Sequence, residues 1–204
     1  MKRLFLAIAT RDGLEESATQ IVKKLRINAD QKQLDIRWTP FENYHVTLVY
    51  LGSTNETKIP EIEILMQEAA EITAPFHLKI SDVGAYPDEF TSRVLWFGVQ
   101  NSRALRGLQS LLVEKLKDKN YQLENREYSP HLTIGRLRNP HKTKDLMSPF
   151  TRKKIAKILV GEIVLFESVG SYPFPVYKAL KTFTLTGKPS EYEDLTDVTS
   201  SEAE

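Results

Sequence analysis

Residues 4–9 (LFLAIA) open the chain as an unbroken apolar run, and beyond the polar Thr10-Arg11-Asp12 the apolar positions become 14, 18, 21, 22 and 25. The first pattern predicts a buried strand; the second has a helical period and predicts an amphipathic helix over 14–25, with Asp12 as its N-cap. Two further strands are expected over 34–38 and 44–51, separated by Thr39-Pro40. Gly52-Ser53-Thr54 should end the second and cap a helix from about 58 to 71. Residues 76–85 and 94–99 alternate like a hairpin around Tyr86-Pro87-Asp88, and Leu105, Leu108, Leu111, Leu112 and Leu116 mark a helix over 102–119. Strands over 121–123, 131–137, 163–169 and 177–186 complete the series, with a weaker helix over 145–158. The order is that of an α+β fold with mostly antiparallel sheets. Because strand, helix, strand recurs in both halves, two similar lobes with outer helices around a central cleft are expected.

Composition narrows the chemistry. The 204 residues contain no Cys, which removes disulfides, thiolate metal sites, iron-sulfur clusters and a Cys nucleophile together. The opening apolar run is too short for the hydrophobic core of a signal peptide, and no apolar run approaches the roughly 18–20 residues that span a bilayer, so a cytoplasmic protein outside the membrane is expected. The net charge of +1 hides an asymmetry: residues 189–204 carry six acidic groups and no Lys or Arg, leaving a net +7 on residues 1–188. A basic body suits an anionic ligand. Residues 1–188 are therefore expected to form one bilobal domain, with 189–204 a disordered acidic tail, and the protein to be a monomer.

Two stretches carry the candidate chemistry, Tyr44-His45-Val46-Thr47-Leu48-Val49 and Pro130-His131-Leu132-Thr133-Ile134-Gly135. In a strand, residues i and i+2 share a face, so each His presents its imidazole beside a Thr hydroxyl while the apolar neighbours enter the core. Four His and sixteen Thr in 204 residues give about 0.3 His-x-Thr pairs by chance, and three occur. The third, His141-Lys142-Thr143, follows Asn139-Pro140 and is expected to be a loop; His77 lacks a hydroxyl partner and is expected on a strand surface. Two His without Cys or a neighbouring carboxylate make an incomplete metal site, whereas imidazoles near neutrality can serve as base and acid in one turnover. The Thr hydroxyls can donate to phosphate oxygens. Arg136 would face away from the His and Thr in a regular strand and needs a twist or bulge at Gly135 to join them.

The ordered set of Leu4-Phe5-Leu6-Ala7-Ile8, Arg37-Trp38, Glu42-Asn43-Tyr44-His45-Val46-Thr47-Leu48, Leu51-Gly52, Val94-Leu95-Trp96, Ser129-Pro130-His131-Leu132-Thr133-Ile134-Gly135-Arg136 and Leu165-Phe166-Glu167-Ser168 resembles the two-histidine phosphoesterase superfamily. Within it, the chain is similar to the RNA 2′,3′-cyclic phosphodiesterases, historically called 2′-5′ RNA ligases. The resemblance runs from residue 4 to about 185. It implies a bilobal fold with a pseudo-two-fold axis, no metal or cofactor requirement, and hydrolysis of an RNA 2′,3′-cyclic phosphate end, or a cyclic nucleotide, to a 2′-phosphate. It further implies that His45 protonates the departing 3′ oxygen, that His131 activates water, and that Thr47, Thr133 and Arg136 hold the phosphate; the residues alone do not order the two His. Reversible 2′-5′ ligation at the same site and a non-catalytic RNA- or nucleotide-binding module are the alternatives. One departure from the family pattern is that Val49 and Tyr50 stand where a Lys often follows the first motif. Phe41, Tyr44 and Tyr128 are expected to pack rather than to stack on a base.

Overall fold

Alternating burial sorts the strands into two antiparallel sheets. The computed structural model describes residues 1–10, 14–170 and 175–188. Its elements run β1 (Lys2–Ala9), α1 (Glu15–Gln31), β2 (Ile36–Trp38), β3 (His45–Thr54), α2 (Ile59–Ile72), β4 (Phe76–Tyr86), β5 (Ser92–Val99), α3 (Arg103–Asp118), β6 (His131–His141), α4 (Lys144–Met147), β7 (Lys154–Val160), β8 (Glu162–Val169) and β9 (Val176–Thr184). The first sheet has the order β3-β1-β8-β9 and the second β2-β6-β5-β4-β7. The first sheet is thus built from both ends of the chain, the second mainly from its middle.

In each sheet a His strand pairs with a central strand, β3 with β1 and β6 with β5. This is the expected likeness of two lobes, with β2 added at the outer side of β6. Helix α2 packs on β8 and β9 and against α3, while α1 contacts β7 and α4 of the other sheet. One continuous core joins both halves, containing Leu4, Leu6 and Ile8 from β1 together with Leu95, Phe97, Leu132 and Ile134 from the second sheet. The opposite face of the first sheet carries its own small apolar cluster of Phe5, Ala7, Val164 and Phe166. Strand β1 is consequently buried on both faces, which is why it reads as a continuous apolar run. Among the described residues no helix is long and apolar enough to cross a membrane.

Several boundaries differ from the sequence expectation, each for a local reason. Residues 121–123 form no strand; Tyr121 instead donates its hydroxyl hydrogen to Glu61 at 3.0 Å. The helix expected over 145–158 stops after α4 and a 3₁₀ turn at Ser148–Phe150, and the chain continues as β7. The register of β7 shifts by one residue between Lys154 and Ala156, opposite Ser81 and Ile80. Such a bulge lets Ile155 and Ile158, three apart, both face the core, an imitation of helical spacing. Asn55, rather than Thr54, supplies the cap before α2, accepting from the Thr57 amide at 3.1 Å. The proposed Asp12 cap and the acidic 189–204 segment lie outside the described residues.

The third His-x-Thr is structural. It is not wholly the expected loop, because His141 ends β6 opposite Ser92 and the buried Thr143 just beyond it shares a 2.5 Å hydroxyl hydrogen bond with Ser92. His77 is exposed on β4, as expected.

A Cβ added at Gly84 would lie 2.1 Å from the Trp96 ring, which occupies the space over that residue. Gly84→Ala is therefore expected to destabilise the protein by about 1–3 kcal/mol through overpacking. Gly161→Ala, where a Cβ meets nothing within 4 Å, is the control, and denaturant unfolding measures both.

Candidate active site

The two His-x-Thr strands carry the same irregularity at the same place. On β3, Thr47 pairs with Ala7 but Val49 pairs with Leu6, so Leu48 is an extra residue. On β6, Thr133 pairs with Trp96 but Gly135 pairs with Leu95, so Ile134 is an extra residue. Each bulge resets the alternation after the Thr. On the second sheet, the face carrying His131 and Thr133 continues to Arg136, as the sequence required. On the first, the face carrying His45 and Thr47 continues to Tyr50, which pairs with Phe5. A further register shift at Leu51 follows, and Gly52 there has φ +67°, a left-handed conformation suited to glycine.

The result is one cleft. Its arm of about 520 Å³ is lined by His45, Thr47, His131, Thr133 and Arg136 together, with Arg3, Arg37, Tyr50 and Tyr177 on its walls. A second arm of about 600 Å³ shares Thr47, Tyr50, His131 and Arg136 and extends past Tyr86, Val113 and Tyr128. All five residues singled out in the sequence are thus brought together. Arg3, Tyr50, Tyr86, Tyr177 and Arg126 are additional cleft residues. Arg3 was detectable in principle, because it shares the β1 face of Phe5, Ala7 and Ala9 opposite Leu4, Leu6 and Ile8. Arg126 carried no such signal, lying in an irregular segment where it pairs with Glu124 at 2.8 Å.

Both imidazoles are held in the same way. His45 Nδ1 lies 2.7 Å from the Asn43 carbonyl oxygen and His131 Nδ1 2.9 Å from that of Ser129, in each case two residues back along the chain. A carbonyl only accepts, so Nδ1 carries the hydrogen in both rings and Nε2 is the nitrogen available for chemistry. Aromatic edges fix the ring planes. Tyr177 meets His45 at 5.0 Å and 82°, and Tyr86 meets His131 at 5.0 Å and 80°. Phe5 adds a second ring beside His45, at 5.0 Å.

Burial lowers the pKa of both His below the ordinary 6.5. For His45 the hydrogen bond to Asn43 opposes the shift, whereas the charges of His131 and Arg136 add to it. For His131 the Ser129 carbonyl opposes it, and Arg126 and Arg136 add to it. That each ring responds to Arg136 places both within electrostatic reach of one cation. Burial pushes the Tyr44 phenol up to about 12, and Tyr44 is only 4% exposed, so it packs as expected. Tyr128 also packs on the core while donating its hydroxyl hydrogen to the Thr47 carbonyl at 3.1 Å, a tie between the cleft wall and β3. Among the described residues no group of three or more His, Asp or Glu side chains is placed to share a metal ion.

Two His-x-Thr strands and a guanidinium, set on paired antiparallel sheets, bring two imidazoles, two hydroxyls and a cation to one cleft, an arrangement chemically able to hold an oxyanion and to move protons. The chain belongs to the 2′-5′ RNA ligase superfamily, whose family model matches residues 14–171. It is 30% identical to an RNA 2′,3′-cyclic phosphodiesterase of Archaeoglobus fulgidus over 89% of this chain and 99% of that protein. To the RNA 2′,3′-cyclic phosphodiesterase of Methanothermobacter thermautotrophicus it is 29% identical over 90% of this chain and 98% of the other. Among solved structures, E. coli LigT in its apo form superposes with a TM-score of 0.69 at 25% identity, covering 91% of this chain and 98% of LigT. A Thermus thermophilus protein superposes with a TM-score of 0.72 at 22% identity, over 92% and 100% of the two chains, and supports the fold.

The His45 and His131 rings are expected to titrate below pH 6.5 in the free protein. Histidine C–H resonances followed by NMR, assigned through His45→Ala and His131→Ala, check this; either ring titrating above neutrality would contradict the desolvated geometry.

Proposed function

We propose that this protein hydrolyses a terminal RNA 2′,3′-cyclic phosphate to a 2′-phosphate, using His45 and His131 as the proton-transfer pair. The observation that carries this reading is the convergence of two identically held imidazoles, two Thr hydroxyls and Arg136 on one cleft. The names of the relatives that align along nearly their whole length support the choice of substrate.

The chemistry follows from the protonation states. With both pKa values lowered, both rings are neutral in the free protein at pH 7. An anionic phosphate entering beside them stabilises an imidazolium, so one ring gains a proton as the substrate binds. The neutral Nε2 then accepts a proton from the attacking water, and the protonated Nε2 gives its proton to the departing 3′ oxygen. Atoms balance: the phosphorus–O3′ bond breaks, a phosphorus–oxygen bond to water forms, and one proton moves through each ring. Following the family resemblance, His131 is the base and His45 the acid. Thr47, Thr133 and Arg136 hold the non-bridging oxygens, where negative charge accumulates. Alignment of water and leaving oxygen is the main task, since the substrate ring is already strained. A cytoplasmic location is part of the same proposal; strand β1, paired on both sides, supports reading the N-terminal apolar run as a core strand.

The test is incubation of the protein, with EDTA present, with a short RNA bearing a 2′,3′-cyclic phosphate, followed by identification of the end formed. A 2′-phosphate is expected. His45→Ala and His131→Ala should each lower kcat by roughly 10²–10⁴-fold, and Thr47→Ala or Thr133→Ala by less, roughly tenfold to a hundredfold. Binding of the RNA without turnover would overturn the reading, and added 5′-hydroxyl RNA joined through a 2′-5′ linkage would redirect it to ligation.

The pH dependence has a defined sign. One ring must be protonated and the other neutral, so kcat/KM is a bell centred between the two free-protein pKa values. Since both lie below 6.5, the optimum is expected on the acid side of neutrality, with kcat/KM falling as pH rises from 7 to 9. A rate rising across that interval would contradict it.

A further inference from the structure

The bulges make the two lobes comparable residue by residue: His45 matches His131, Thr47 matches Thr133, Leu48 matches Ile134, and Tyr50 matches Arg136. The second lobe therefore places its guanidinium on the His strand itself, whereas the first has a phenol there. A guanidinium is nevertheless present beside that phenol, supplied by the neighbouring strand. Arg3 of β1 donates from Nη2 to Tyr50 Oη at 3.2 Å, and both residues line the arm that contains all five candidate site residues. Arg3 is exposed, and among the described residues no carboxylate is within ion-pair distance of it.

Register fixes how far along the cleft this cation stands. Strand β1 alternates without a bulge of its own, so Ala9, Ala7, Phe5 and Arg3 follow one another on the cleft face. The first three stand opposite His45, Thr47 and Tyr50. Each such step is about 6.6–6.8 Å along the strand. On the other lobe the corresponding series on β5 is Gly98, Trp96 and Val94, opposite His131, Thr133 and Arg136. Arg136 is thus the third member of its own row, Arg3 stands one step beyond the third position of the other row, and both guanidiniums line the same arm of the cleft.

We propose that Arg3 binds the internucleotide phosphate on the 5′ side of the terminal nucleotide, with Tyr50 as the positioning residue that orients its guanidinium. The site is thereby specific for the end of an RNA chain over a cyclic mononucleotide, which has no such phosphate. This rests on the phosphodiesterase reading above and names its substrate class. Arg3 contributes to binding and takes no part in proton transfer.

The test compares kcat/KM for a dinucleotide ending in a 2′,3′-cyclic phosphate with that for a cyclic mononucleotide. Wild type is expected to prefer the dinucleotide. Arg3→Ala should lower that preference about tenfold through KM, the size of one lost charge-assisted phosphate contact. Arg3→Lys should retain most of it, and Tyr50→Phe should lose part. The slope of log(kcat/KM) against log salt for the dinucleotide should become shallower by about 0.7 in Arg3→Ala. A preference unchanged in Arg3→Ala, or equal losses on both substrates, would overturn the proposal. If wild type turned over neither substrate, the phosphodiesterase reading would fail instead. Calorimetric binding of the 2′-phosphorylated dinucleotide against the 2′-mononucleotide would then decide the role of Arg3, with loss of the dinucleotide's advantage in Arg3→Ala supporting it and an unchanged advantage rejecting it.

Discussion

A β-strand shows every second side chain to one face, and the cleft depends on breaking that rule once in each His strand. Without the extra residues Leu48 and Ile134, the groups that follow His45 and Thr47, or His131 and Thr133, would change sides. Arg136 would then point away from the cleft that holds both imidazoles. With them, a three-member row of imidazole, hydroxyl and a larger polar group lies along one face of each sheet. The extra residues themselves are buried in the shared core, Leu48 at 3% exposure and Ile134 at 0%, so packing holds each bulge in place.

From this arrangement the remaining properties follow in order. The carbonyl two residues before each His takes the Nδ1 hydrogen and leaves Nε2 as the reactive nitrogen. Aromatic edges pack against the rings, and burial lowers the pKa of both imidazoles. The guanidiniums of Arg3, Arg37, Arg126 and Arg136 line the same arm of the cleft, and Glu124 offsets part of the charge of Arg126. The charge imbalance seen along the chain is therefore expressed locally, at the cleft.

Where the sequence was informative, one physical signal dominated each stretch. The double burial of β1 gave an unbroken apolar run, α3 gave a clean helical period, and the two His-x-Thr strands stood out because their Thr hydroxyls share a face with each His. The position of Arg136 calls for a bulge at Gly135, whereas the extra residue is its neighbour Ile134, and Gly135 itself pairs with Leu95. The helical spacing over 145–158 holds only for its start, in α4 and the 3₁₀ turn that follows; beyond it the bulge near Ile155 spaces two core residues of β7 three apart. Residues 121–123 have the composition of a strand but no partner, since Tyr121 is committed to Glu61. The β1 alternation places Arg3 on the face of Phe5, Ala7 and Ala9, but its meeting with Tyr50 depends on the pairing of β1 with β3 across more than forty residues, which that alternation does not encode.

The central claim is that both His strands address one phosphate. Titrating the protein with adenosine 2′-phosphate, a product-like ligand, while following the Nε2 resonances of His45 and His131 by NMR tests it most directly. Both resonances should shift, with a single shared Kd and an upward change in at least one imidazole pKa. A ligand that moved only one ring, or moved the two with different Kd values, would show that the histidines do not form one site.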